Sequence, residues 1–175
     1  MDLKTQIFDL IDLRSFSNLW YWIALAVTWS TTSHWILGVP FDMVVRARRL
    51  GGQATQDLET LVRIHIGRIT YIVDEAGTLL SAMIGFILSV LATTGFVYGA
   101  EFSQAVFLIA APLTIVAVIS VRAARAIQAR GLRGEGLMRH LSVLRLGIQI
   151  IGMISIFITA FWGMLQNYNV SILPG

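Results

Sequence analysis

The chain contains no cysteine, and that absence removes several kinds of chemistry at once. Disulfide bonds, thiolate metal ligands, iron–sulfur ligation and cysteine nucleophiles all need a thiol that this chain does not have. Charge is also scarce, because only 13% of the 175 residues are Asp, Glu, Lys or Arg while 56% are hydrophobic. This composition is too apolar for a soluble domain of this length, so it indicates a membrane protein.

Four long apolar runs carry almost no charge. A run of about 20 residues, at about 1.5 Å rise per residue, is long enough to cross the hydrocarbon core of a bilayer. We therefore predict an all-α, polytopic membrane protein that forms a single membrane domain over residues 1–175. The four predicted transmembrane helices are residues 18–39, 76–98, 104–121 and 146–166.

The segments outside these runs have their own patterns. Residues 1–17 place apolar side chains at helical spacing and predict an amphipathic helix at the membrane interface. Residues 40–75 predict a basic loop followed by a helix that continues into the second span, and residues 122–145 predict a second basic loop. Pro112 predicts a kink in the third span, and residues 167–175 predict an uncharged outer tail.

Basic residues fall on one side of the predicted spans. Eleven of the thirteen Lys and Arg lie in the loops 40–75 and 122–145 or at their edges. Because loops held in the cytoplasm keep their basic residues, we expect a multi-pass protein of the bacterial inner membrane with both termini in the periplasm. The same asymmetry explains the net charge of +3, so nucleic acid is not an expected partner.

Small residues recur every four positions in the second predicted span and at similar spacing in the fourth. In lipid, small residues let helices approach closely, and packing drives their association. We expect these residues to form interfaces within the bundle, with a partner protein or with a second copy of the chain. They are Gly77, Ser81, Gly85, Ser89, Gly152, Ser155, Thr159 and Gly163. The alternative is a polar transport path, which requires that the hydroxyls of both spans face one cavity.

Ionisable residues lie at the span boundaries. Asp74 and Glu75 precede the second span and Arg145 precedes the fourth. We expect them to form boundary ion pairs, for example between either acid and Arg122 or Arg145. The basic clusters are also candidates for binding anionic phospholipid, although setting the topology explains them equally well. The candidate lipid-binding residues are Arg46, Arg48, Arg49, Arg122 and Arg125.

A lone histidine, His34, lies near the end of the first predicted span. It is a weak candidate for binding a pigment, or for binding haem with His65 or His140 as the second axial ligand. A hydrogen-bonded interfacial histidine is the simpler interpretation, so we expect no cofactor and no metal site. An enzyme acting on lipid would need a paired acid and base, and Asp74, Glu75 and His65 are its only candidates; we therefore expect a protein without catalytic activity.

Several segments of the chain resemble a family of small alphaproteobacterial integral membrane proteins. The resembling segments are residues 14–22, 38–43, 95–99, 101–102 and 150–157. Members of that family are labelled automatically as components of the SufBCD iron–sulfur assembly complex. A cluster-assembly scaffold is expected to offer cysteine, which this chain lacks. The resemblance therefore implies a membrane partner or anchor role and assigns no catalytic residue.

These observations favour a non-catalytic accessory or assembly subunit that docks on a larger inner-membrane protein complex. The alternative from a different class is a small transporter or channel that acts as an oligomer. A haem or pigment protein that uses His34 is a third possibility. Membrane lipids, including anionic phospholipid, are expected partners in each case.

Overall fold

A computed structural model describes Phe16 and residues 18–172, with side chains described up to Tyr168. Helices make up 91% of the structure, which confirms the all-α class. A short two-stranded hairpin interrupts the helices. The elements are α1 (Leu19–His34), β1 (Trp35–Ile36), β2 (Val39–Pro40), α2 (Phe41–Leu50), α3 (Gly52–Ala92), a π-helical turn (Thr93–Val97), α4 (Glu101–Arg130) and α5 (Gly134–Ile172).

The first helix is shorter than the predicted span 18–39. Helix α1 begins after Asn18, whose side-chain oxygen accepts a hydrogen bond from the Trp20 N–H at 3.0 Å and so caps the helix. It ends at His34 after 16 residues. At about 1.5 Å per residue this helix is about 24 Å long, which is shorter than the hydrocarbon core of about 30 Å.

Residues 35–40 form an antiparallel hairpin where the sequence predicted the end of a helix. Leu37 and Gly38 make the turn, with φ values of 53° and 78°. Pro40 cannot continue a helical hydrogen-bond ladder, and aromatic and β-branched residues suit the short strands. An apolar run has the same composition whether it forms a buried strand or a helix, so hydropathy alone did not separate the two.

Three helices are long and apolar enough to cross a membrane. They are α3 together with the π-helical turn, α4, and α5. These three helices contain the second, third and fourth predicted spans, while α1 falls outside this set. The structure therefore supports a membrane protein with three such helices among its described residues.

Helix α3 runs without interruption for 41 residues. Gly51 and Gly52, at φ values of 60° and 47°, separate it from α2. The prediction of one continuous helix from the basic segment into the second span is therefore confirmed. Helix α4 also continues through Pro112.

The predicted basic loops are mostly helical. Residues 40–75 contain α2 and the first half of α3, and residues 122–145 contain the end of α4 and the start of α5. Only residues 131–133 separate those two helices, with Gly131 in the left-handed conformation that commonly ends a helix. The apolar residues in these segments pack on one another, which explains why the segments are ordered helices.

The last helix is longer than the predicted fourth span, which ends at residue 166. Helix α5 continues to Ile172, so most of the predicted outer tail, 167–175, is a helix. Glycine and proline are the residues that most often end a helix, and neither occurs between Gly163 and Pro174. The predicted interfacial helix, residues 1–17, lies outside the described residues except for Phe16.

The buried core is concentrated at the end of the bundle that carries the basic segments. By contrast, only 6% of the residues in the most apolar stretch of α3 are buried by the rest of the chain, compared with 17% for α4 and 28% for α5. The membrane part of α3 therefore lies at the edge of the bundle. Core residues at the basic end include Val44, Ala47, Leu58, Val62, Ile66, Ala124, Ile127, Leu137, Leu141 and Ile148.

Candidate functional site

The small residues of α5 are used inside the chain. A Cβ added to Gly152 would lie 2.8 Å from Cε3 of Trp29, and one added to Gly163 would lie 3.4 Å from Cβ of Phe16 and 3.5 Å from the Trp22 ring. These glycines thus let the side chains of Phe16 and of the α1 tryptophans Trp22 and Trp29 pack directly on the backbone of α5.

The two hydroxyls of the same α5 stripe are also buried between helices. Ser155 donates to the Leu108 carbonyl of α4 at 3.4 Å, and Thr159 donates to the Ser155 carbonyl at 2.8 Å. Both residues are buried. The stripe on α5 is therefore a packing surface for α1 and α4.

The matching stripe on α3 faces outward. Ser81, Gly85 and Ser89 are exposed, and a Cβ added to Gly85 would meet no atom within 4 Å. A Cβ added to Gly77 would meet only Val73 of the same helix, at 3.4 Å. Ser89 donates to the Gly85 carbonyl at 2.8 Å, so its hydroxyl is satisfied within α3. Nothing in the described chain packs on this face.

A buried amide, Gln104, links three elements at the opposite end of the bundle from the basic segments. Its Nε2 donates to the Gly95 carbonyl in the π-helical turn at 2.8 Å. Its Oε1 accepts from Trp162 Nε1 at 2.9 Å and from Gln166 Nε2 at 3.0 Å, both on α5. The sequence analysis missed this network, although a lone glutamine beside an apolar run is a signal that could have found it.

Gly95 is required for that arrangement. A Cβ at Gly95 would lie 2.9 Å from the Gln104 backbone nitrogen, so only glycine allows the π-helical turn to lie this close to α4. Tyr21 of α1 donates to the Ala105 carbonyl at 3.2 Å beside this network. The polar groups here hold helices together and are each paired, which makes this cluster structural.

One boundary ion pair forms, with a different partner from the examples predicted. The Arg125 guanidinium donates to Asp74 Oδ1 at 2.7 Å, and both side chains are more than half exposed. Arg125 lies about one helical turn after Arg122 on α4. Among the described residues, Glu75 and Arg122 form no ion pair.

Arg145 packs on an aromatic ring instead of pairing with an acid. Its guanidinium carbon lies 4.0 Å from the centre of the Phe41 ring, a cation–π geometry. Its Nε is buried with no hydrogen-bond acceptor. The predicted pairing of Arg145 with Asp74 or Glu75 is therefore wrong, because the start of α2 brings Phe41 to this position.

The remaining predicted lipid-binding arginines lie on the surface. Arg46, Arg48 and Arg49 project from α2, whose Val44 and Ala47 are buried in the core. Arg48 also donates to the Ser142 hydroxyl of α5 at 3.1 Å. Helix α2 therefore presents a basic face outward while its apolar face is anchored to the bundle.

The histidines occupy separate positions. His34 is the last residue of α1, and its Nε2 lies 4.0 Å from Asp42 Oδ1. His65 of α3 packs against the hairpin turn, where a Cβ added to Gly38 would lie 2.7 Å from its Nδ1. Among residues 18–172 no three potential ligands come together in a metal-binding group.

A surface cavity of about 580 Å³ lies between α3 and the α4–α5 turn and is lined by both charged and apolar residues. A second cavity, of about 360 Å³, is an apolar groove between α4 and α5 that includes Pro112 and Ser155. Ser81 and Ser89 line neither of these cavities, so neither one joins the hydroxyls of α3 to those of α5.

Comparisons with known proteins give no match to a family model, a curated protein or a solved structure.

Proposed function

We propose that the protein is a non-catalytic accessory or assembly subunit of a larger inner-membrane protein complex, and that it binds an integral membrane partner through the outward face of α3. The observation that carries this proposal is the position of the α3 stripe. Ser81, Gly85 and Ser89 face away from the chain, while the equivalent residues of α5 are packed inside it.

Helices associate in lipid mainly by packing their backbones closely. Apolar side chains gain little from contacting protein instead of acyl chains, so close backbone packing at small residues becomes the main source of association. Gly85 has open space above its backbone, and the Ser89 hydroxyl is already satisfied by its own helix. A partner helix could therefore approach α3 closely without leaving a polar group unpaired.

The proposal includes a topology. Helix α1 and the hairpin that follows it would cross the membrane as the first of four spans, which leaves both termini in the periplasm. Arginines of α2 and of the helix ends would then lie in the cytoplasm, where Arg46, Arg49 and Arg122 are exposed and able to contact anionic phospholipid.

The transporter alternative is favoured by no specific observation. It needs hydroxyls of different spans to line one path. Ser155 and Thr159 are instead buried and bonded to backbone carbonyls, while Ser81 and Ser89 face outward.

Replacing Gly85 by Leu tests the proposal. The variant should fold normally, because the new side chain enters open space within this chain, but it should separate the two helix backbones and abolish co-purification with the partner complex from native membranes. The control is Ala117→Leu, a similar enlargement at an exposed position of α4.

Size analysis and mass spectrometry of the gently extracted material are the measurements. Loss of the complex in Gly85→Leu and its retention in Ala117→Leu are the expected results. Unchanged assembly in Gly85→Leu would mean that this face contacts lipid, and the proposal would be wrong.

A further inference from the structure

The pocket between α3 and the α4–α5 turn has the size and chemistry of a ligand site. Its volume is about 580 Å³, within the range of about 300–1,000 Å³ that is typical of small-molecule pockets. Its floor is apolar and includes Ile66, Ile127 and Leu137. Gly67 and Gly131 also line it and have no atom within 4 Å of an added Cβ, so a ligand can approach the backbone there.

The polar side of the pocket has more positive than negative charge. Arg63 and Arg133 line it and are exposed, and neither forms an ion pair among residues 18–172. Glu59 is the lone carboxylate among the lining residues. Its Oε1 accepts a hydrogen bond of 2.6 Å from the N–H of Gly134, the first residue of α5.

That bond directs the negative charge of Glu59 to the start of a helix, where a carboxylate is favoured. Two guanidinium groups remain without a carboxylate partner. Their planar donor sets match phosphate oxygens. The side chains of Gln56, Thr60 and Gln128 add neutral hydrogen-bonding groups around the same space.

The distance from the membrane decides which kind of ligand can reach the pocket. Asp74 and Glu75 are the last charged residues before the uncharged stretch 76–97, which covers the rest of α3 and the π-helical turn. The α3 residues of the pocket extend from Gly67 back to Gln56, which at about 1.5 Å per residue lie about 10 to 27 Å from Asp74 along the helix. The head-group layer is only about 5–8 Å thick on each side of the bilayer, so with Asp74 at the membrane boundary we expect a soluble ligand, and not a membrane lipid, in the pocket.

We propose that this pocket binds a soluble organic phosphate, with its phosphate held by Arg63 and Arg133 and its apolar or aromatic part on the floor formed by Ile66, Ile127 and Leu137. The ligand would contact both α3 and the α4–α5 turn. This site is separate from the α3 face proposed above to dock on a partner, and it does not depend on that proposal.

The test uses the full chain in nanodiscs of phosphatidylcholine, with binding measured by calorimetry. The probes are adenosine triphosphate, adenosine and inorganic phosphate. Adenosine triphosphate should bind more tightly than either probe that lacks one of its two parts. Arg63→Gln and Arg133→Gln should each weaken its binding about tenfold, because each removes a charged hydrogen-bond donor.

Two further variants separate binding from general charge and folding effects. Arg139→Gln removes an exposed arginine that does not line the pocket and should leave affinity within about twofold, because surface charges away from a site contribute little. Glu59→Gln keeps an oxygen that can accept from Gly134 but removes the competing negative charge, so it should tighten binding by about twofold or more.

Three results would overturn the proposal. The first is no binding of adenosine triphosphate at millimolar concentration, and the second is an equal loss of affinity in Arg139→Gln and Arg63→Gln. The third is stabilisation of the protein by phosphatidylglycerol in the nanodisc that depends on Arg63 and Arg133 while no soluble phosphate binds. That outcome would assign the two arginines to a lipid head group.

Discussion

Leu37 and Gly38 hold the turn between the two short strands in a left-handed backbone conformation. A non-glycine residue at positive φ costs about 1 kcal/mol or more. Burial of the Leu37 side chain, which is 5% exposed and belongs to the core, offsets this cost. Gly38 has φ +78°, and its backbone lies against the His65 ring. The hairpin is therefore fixed by burial on α3.

Replacing Gly38 by Ala should destabilise the protein by about 1–3 kcal/mol, because the new methyl group would be strained at positive φ and would lie too close to His65. Thermal unfolding in neutral lipid measures the change. Gly67→Ala is the matched control, since Gly67 is helical and has open space around it; it should be neutral or stabilising by up to about 1 kcal/mol. Equal stability of Gly38→Ala and the parent chain would contradict the packing described for the turn.

At the residue level, the sequence indicated which charged residues lie at the span boundaries but not which of them pair. A boundary ion pair was predicted and Asp74 does form one, although with Arg125. The sequence could not place Arg145, because its cation–π contact with Phe41 depends on where α2 begins. That start depends on the hairpin, which hydropathy does not distinguish from a helix.

Helix α3 is the element that the sequence predicted best. Its apolar spacing continues without a proline from Gly52 to Ala92, and a long periodic segment is a strong local signal. Which side of α3 faces the bundle was not predictable, because both of its faces are largely apolar in the membrane stretch. The same small-residue spacing on α3 and α5 is packed in one helix and exposed in the other.

Gln104 connects the π-helical turn, α4 and α5 at the level of whole elements. Replacing it by Leu would leave the Gly95 carbonyl and the N–H donors of Trp162 and Gln166 without this partner. We expect a loss of about 1–3 kcal/mol in stability, since an unmade buried hydrogen bond costs more than an ordinary one contributes.

Unfolding of Gln104→Leu in lipid or mild detergent, compared with Gln149→Leu, measures this effect. Gln149 is partly exposed and makes no side-chain hydrogen bond in the described chain, so its replacement should change stability by less than about 0.5 kcal/mol. A similar loss in both variants would show that the Gln104 network contributes nothing specific.

Across the whole molecule, burial and charge are distributed unequally along the bundle. Most of the core and the arginines of α2 to α5 lie at one end, while few residues in the membrane stretch of α3 are buried by its own chain. The sequence predicted helices that are apolar enough to cross a membrane, and the described residues form three of them. The number of spans was harder to predict from the sequence, because the first apolar run divides into a 16-residue helix and a hairpin.

Because the chain has no cysteine, a single introduced cysteine is its only thiol and can carry a crosslinker at one chosen position. Ser81→Cys, on the outward face of α3, can be coupled to a short photo-crosslinker and irradiated in native membranes. Ala117→Cys on α4 is the control. We expect Ser81→Cys to give one discrete adduct with a different integral membrane protein and the control to give none. No adduct beyond the control, or an adduct with a second copy of this chain alone, would contradict the proposal that α3 docks on a partner complex.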